Sequence, residues 1–177
     1  MLYRGGRFPA FDRLDLTDHG LLLHGHDVRS ELSRPRHREL VLAGERFALD
    51  NLGTDARLAQ FHDVALIASS GPIHLTKTIL FPARFLCLEH TGLITGNGES
   101  AGYYCDTFEG PDAELVSQAL RWRSEALPSA AVIRGLLECG LAPLYARFLD
   151  VYVDRAGEYG ETDLASRLSL WRERFAV

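Results

Sequence analysis

The spacing of apolar positions divides the chain into two textures that meet near Phe108. Up to that point hydrophobic residues alternate with polar ones, or form short runs broken by glycine, proline, asparagine and aspartate, which is the pattern of strands and turns. From Phe11 to Leu16, Leu14 and Leu16 alternate with Arg13 and Asp15; Thr17-Asp18-His19-Gly20 supplies a turn and Leu21 to Val28 follows, predicting a β-hairpin. Glu39 to Ala43 and Arg46 to Leu49 flank Gly44 as a second hairpin, closed by Asp50-Asn51-Leu52-Gly53, and Thr54 caps a short helix from Asp55 to Phe61. Val64 to Ala68 reads as a short strand ended by Ser69-Ser70-Gly71-Pro72. Ile73 to Phe81 reads as a half-buried strand, with Ile73, Leu75, Ile79 and Phe81 on one face and His74, Thr76 and Thr78 on the other. Beyond Pro82 the pattern predicts strands over Arg84 to Glu89 and Gly102 to Phe108, joined through Thr91-Gly92 and Gly96-Asn97-Gly98.

After Gly110 the period becomes helical. Pro111 suits a first helical turn, Asp112 and Glu114 complement its dipole, and Leu115, Ala119, Trp122 and Ala126 mark a buried stripe. A second helix runs from Pro128 to Cys139 with Val132, Ile133, Leu136 and Leu137 inward and Gly140 as its stop, and a third from Leu141 to Val153. Leu164, Leu168, Trp171 and Phe175 recur at helical spacing in a final helix. Together these patterns predict a single α+β domain over residues 1–177. Its strand-rich part (1–109) forms an antiparallel β-sheet or partly closed barrel of about six to eight strands, and three to four helices follow over 110–177.

Composition narrows the class. A hydrophobic content of 46% with 24% charged residues is that of an ordinary folded protein, and no run of eighteen apolar residues offers a membrane span. The opening MLYRGGRFPAF has no apolar stretch of signal-peptide length. Cys87, Cys105 and Cys139 are odd in number and lack CxxC spacing, which predicts reduced thiols and a cytoplasmic location. A net charge of −5 argues against general nucleic-acid binding. All but one of the 19 lysines and arginines are arginine, a bias that fits a GC-rich bacterial genome.

One segment departs from the acidic whole. Between Arg29 and Arg38, in RSELSRPRHR, Arg29, Arg34, Arg36 and Arg38 face the single acid Glu31, giving a candidate binding loop for an acidic partner. Arg34 and Arg38 have the RxxxR spacing that resembles the cyclic-dinucleotide motif of PilZ domains, although that family's second motif is not matched at Asn97-Gly98-Glu99-Ser100-Ala101-Gly102. Nearby, His24-Gly25-His26 places two imidazoles on one face of a strand, with Glu31 following. This spacing resembles the first metal motif of the cupin family, which implies a barrel holding a divalent metal through His24, His26 and Glu31, with His74 or His90 as a further ligand. The pattern departs from that family at Asp18 and Arg38, where glycines are expected. Leu2-Tyr3-Arg4-Gly5 is similar to the opening of one class of ADP-ribosyltransferases, but Glu158-Tyr159-Gly160-Glu161 has ExxE rather than ExE spacing.

No complete catalytic set, phosphate loop or nucleophile motif occurs. The sequence therefore predicts a non-catalytic binding or regulatory protein, of accessory, regulator or toxin-neutralising type, that engages a protein partner and uses no cofactor or catalytic residue. The alternative is a small metal-dependent, cupin-like enzyme or ligand-binding protein using His24 and His26.

Overall fold

Helix α5, Pro72–Thr91, is the element around which α2, α6, α7 and α8 pack, and it is also where the strand reading fails. The structure, a computed structural model, describes residues 9–175. These form nine α-helices and one 3-10 turn with no strand among them, so the expected α+β fold with a sheet or barrel is corrected to an all-helical one. The other helices are α1 (Ala10–His19), α2 (His37–Asn51), α3 (Asp55–His62), α4 (Val64–Ala68), α6 (Asn97–Thr107), α7 (Pro111–Arg121), α8 (Ala130–Glu158) and α9 (Thr162–Phe175), with the 3-10 turn at Arg29–Glu31.

Alternation misleads in α5 because that helix is buried on nearly all sides. Leu75, Thr76, Thr78, Ile79 and Leu80 are all buried, so polar and apolar residues cannot report two faces of a strand. The β-branched threonines are accommodated through their hydroxyls: Thr76 Oγ1 donates to the Pro72 carbonyl at 2.7 Å and Thr78 Oγ1 to the His74 carbonyl at 2.9 Å. Pro82, expected to end the element, lies inside it. Proline has no N–H for the carbonyl four residues earlier, and here the buried Tyr145 hydroxyl from α8 donates to that Thr78 carbonyl at 2.8 Å.

Gly44 and Gly140, expected as a turn and a stop, are both contact points between helices. A Cβ on Gly44 would lie 3.3 Å from Phe85 Cδ1, so the glycine lets α2 approach α5. At Gly140 a Cβ would lie 2.5 Å from the Pro111 carbonyl oxygen and 2.8 Å from Leu115 Cβ, so α7 crosses α8 against bare backbone. The expected second and third helices are thus one continuous helix of 29 residues, which runs on through Pro143. It turns at Gly160, with φ of 74°, into α9.

Other readings hold. Thr54 caps α3, accepting a hydrogen bond from the Arg57 N–H, and Pro111 opens α7. Leu115, Ala119, Trp122, Leu164, Leu168, Trp171 and Phe175 are buried as their stripes require, whereas Ala126 and Val132 are exposed. An aromatic seam of Phe85, Phe148, Tyr145, Trp171 and Phe175 joins α5, α8 and α9. The segment from Leu21 to Val28 belongs to no helix and has no strand partner among the described residues.

Candidate functional site

The arginine-rich loop does not present four free charges. Arg34 pairs with Asp18 through two hydrogen bonds of 2.9 and 2.8 Å, and Arg38 reaches Glu161 at 3.3 Å while packing over the Tyr159 ring. Arg29 forks onto Asp27 and donates to the Gly20 carbonyl at 2.7 Å. The Arg29 hydrogen bond holds the Asp27 carboxyl at about 2, below its ordinary range, and the same bond raises the Arg29 guanidinium. Arg36 alone of the four has no ion pair among the described residues.

His26 lies 3.1 Å from Glu31, both exposed, and His24 is exposed beside them. His74 sits apart on α5, where Arg57 and Gln60 contact its ring; burial and the Arg57 charge lower its pKa. His24, His26, Glu31 and His74 therefore do not converge, and no group of three or more histidine, cysteine, aspartate or glutamate side chains among the described residues is placed to hold a metal. His90 stacks on Tyr103, with ring centroids 5.2 Å apart. Residues 2–5, which carry the ADP-ribosyltransferase resemblance, lie outside the described residues.

Two features without a sequence signal stand out. The first is a cavity of about 190 Å³ lined by Phe81, Arg84, Phe85 and Leu88 of α5, Phe47 of α2, Phe11 of α1 and the Leu93–Thr95 loop. The spacing 81, 84, 85, 88 is one helical face, invisible while this stretch is read as strands. Arg84 is half-buried, burial lowers its pKa, and it makes no hydrogen bond or ion pair among the described residues. Residues 1–8, MLYRGGRF, contain no acidic side chain that could pair with it. A guanidinium held beside aromatic walls without an anion is suited to a ligand joining an anionic group to an apolar body. A second cavity of about 250 Å³ shares the Leu93–Thr95 wall and is lined on its other side by Asp15, Asp18, His19 and Glu99.

The second feature is the run Leu21, Leu22 and Leu23, whose residues are 86%, 51% and 93% exposed, with Val28 at 43% close behind. Isolated exposed leucines need no explanation, but three in succession do.

Elsewhere the polar groups are satisfied within the bundle. Asp112 is buried and accepts from Tyr104 at 2.6 Å and Arg147 at 3.1 Å; burial raises its pKa, but these bonds outweigh that and hold it below the ordinary carboxylate range. Arg155 bridges Glu89 and Glu158. The exceptions among the described residues are Arg13 Nε, Trp171 Nε1 and Glu45 on α2, the last fully buried with neither oxygen hydrogen-bonded, where burial pushes the carboxyl up to about 8. No helix among the described residues is long and apolar enough to cross a membrane. Compared with known families, characterised proteins and solved structures, the chain matches none.

Proposed function

We propose that this chain is a non-catalytic binding protein that engages a protein partner, and that the contact is centred on Leu21–Leu23. The observation that carries this reading is the exposure of Leu21 and Leu23, at 86% and 93%, on a segment pinned at both ends by the Arg29 side chain. Burying two such leucines against a partner contributes about 3–6 kcal/mol, enough to anchor an interface, while leaving them in water gains nothing for the fold. Arg36, the one arginine of the 29–38 loop without an ion pair among the described residues, favours an acidic group on the partner. A photo-crosslinking residue at Leu22, compared with one at exposed Val132 on α8, tests the reading in cells that make the protein. A discrete adduct formed from position 22 alone, and lost in Leu21→Ser/Leu23→Ser, supports it. Adducts of equal yield from both positions, or none from position 22, refute it.

A second reading, binding of a small ligand, is favoured by Arg84 in its aromatic cavity. A cavity of about 150 Å³ holds benzene, so one of 190 Å³ accepts a slightly larger apolar group with its anion at the guanidinium. Benzoate and phenylacetate serve as probes in ligand-observed NMR. Saturation transfer that disappears in Arg84→Met supports the site, and identical transfer in both proteins removes it.

A further inference from the structure

Glu45, fully buried with both carboxyl oxygens unbonded, lies where α2 is tied to the α8–α9 turn. A Cβ on the adjacent Gly44 would lie 3.5 Å from the Tyr152 hydroxyl of α8, but that hydroxyl donates its one proton to the Phe85 carbonyl at 2.7 Å and has none for Glu45. The next residue, Arg46, reaches one Glu161 oxygen at 3.6 Å; Arg38 reaches the other at 3.3 Å and donates to the Tyr159 carbonyl at 2.8 Å. Gly160, with φ of 74°, sits inside this turn, and the Glu161 N–H closes it on the Ala156 carbonyl at 2.9 Å. Arg46 and Glu161 are the charges that act on Glu45. Others around α2 are engaged elsewhere: Glu89 of α5 with Arg155 of α8, Arg13 of α1 with Glu39, and Arg167 of α9 with Asp50.

A neutral carboxyl tolerates this burial, but an anion does not, because it gives up its water and gains no donor. It would also face the like charge of Glu161, which already holds Arg46. Relief comes where the contacts are weakest. The Arg38 and Arg46 side chains are 53% and 57% exposed in their pairs with Glu161, and such ion pairs hold loosely. Gly157, Glu158, Gly160 and Thr162 of the turn are exposed, whereas Leu40, Val41, Leu42, Ala48 and Leu49 fix α2 itself by burial. We infer that Glu45 is a proton-controlled latch: α2 holds the α8–α9 turn while this carboxyl is neutral, and its ionisation releases the turn about Gly160 with the rest of the bundle folded. The closed form keeps the proton up to about pH 8, whereas a Glu45 open to water loses it near 4.5. Opening therefore grows as pH rises between these values, by about tenfold per pH unit, and levels off above them.

Native-state hydrogen exchange of the full chain tests the latch, read at the Glu161 amide, whose bond to the Ala156 carbonyl spans Gly160 and breaks when the turn swings away. Rates are divided by the chemical exchange rate at each pH to give protection, and each pH is repeated with small additions of urea. The expected result is that Glu161 protection falls by about tenfold per unit from pH 6 to 8 and is insensitive to urea, because little surface is exposed. The Leu115 amide of α7, inside the bundle, is expected to exchange only through urea-sensitive unfolding. In Glu45→Gln the Glu161 protection should lose its pH slope, and Glu45→Met, which removes the ionisable group altogether, should do the same. Three outcomes overturn the inference. Protection at Glu161 that is flat with pH in the parent means no proton is coupled to the turn. A slope that survives in both variants places the proton on another group. Exchange at Glu161 as sensitive to urea as that at Leu115 means Glu45 ionises only when the whole chain unfolds.

Discussion

Tyr145→Phe removes a single hydroxyl and thereby isolates what Pro82 does to α5. The Thr78 carbonyl is the one that a residue 82 N–H would satisfy in an uninterrupted helix, and the Tyr145 hydroxyl donates to it instead at 2.8 Å. Phenylalanine keeps the ring, and with it the packing against Phe61 at 4.6 Å and Phe175 at 5.0 Å between centroids. What remains is a buried carbonyl with no donor, a loss of about 1–3 kcal/mol, which in a chain of this size lowers Tm by about 2–4 °C per kcal/mol. Urea unfolding followed by tryptophan fluorescence measures it. The decisive comparison is with Pro82→Ala, which returns an N–H to position 82 and lets α5 satisfy its own carbonyl. In that background Tyr145→Phe is expected to cost less by about 1 kcal/mol, and the cycle cancels the cavity that alanine leaves. Equal costs in both backgrounds, or a cost below about 0.5 kcal/mol in the parent, refute the reasoning.

Glu45 sets a pH dependence whose sign follows from its burial. The folded chain keeps this proton up to about pH 8, whereas an unfolded glutamate releases it near 4.5, so the folded state binds the extra proton in between and stability falls as pH rises through that window. The Glu161 carboxylate deepens the fall and Arg46 moderates it. Glu45→Gln is expected to flatten the curve, the difference between parent and variant growing to on the order of 4 kcal/mol by pH 8.5 as read from urea midpoints; parallel curves exclude the assignment. Gly140→Ala, which forces a Cβ to 2.5 Å from the Pro111 carbonyl oxygen, should destabilise by about 1–3 kcal/mol despite alanine's better helix propensity. Gly135→Ala on the same helix, where the added Cβ meets nothing within 4 Å, should instead stabilise by about 0.5–1 kcal/mol, and similar thermal shifts for the two would remove the crossing as the cause.

Local signals were legible where local chemistry decides. The Thr54 cap, the Pro111 start and the Leu164, Leu168, Trp171, Phe175 stripe each depend on a few adjacent residues or on one half-exposed helix, and each holds. The arginines of the 29–38 loop were legible as a charge cluster, but their partners Asp18 and Glu161 come from α1 and the α8–α9 turn, so the neutralisation was not. Arg84 carried no signal at all. Its meaning arises only when α5, α2 and the Leu93–Thr95 loop meet around it.

The sequence by itself determined the helical second half and the absence of a long apolar span. Tertiary structure alone decided that the first half is also helical. Threonine, isoleucine and tyrosine favour strands where one face is wet, but α5 is enclosed by α2, α6, α7 and α8, and its threonine hydroxyls bond their own helix. Gly44, Pro82 and Gly140 likewise look like breaks until a neighbouring helix supplies what each lacks: a ring against the missing Cβ, a phenol for the orphaned carbonyl, and a backbone close enough to need no side chain.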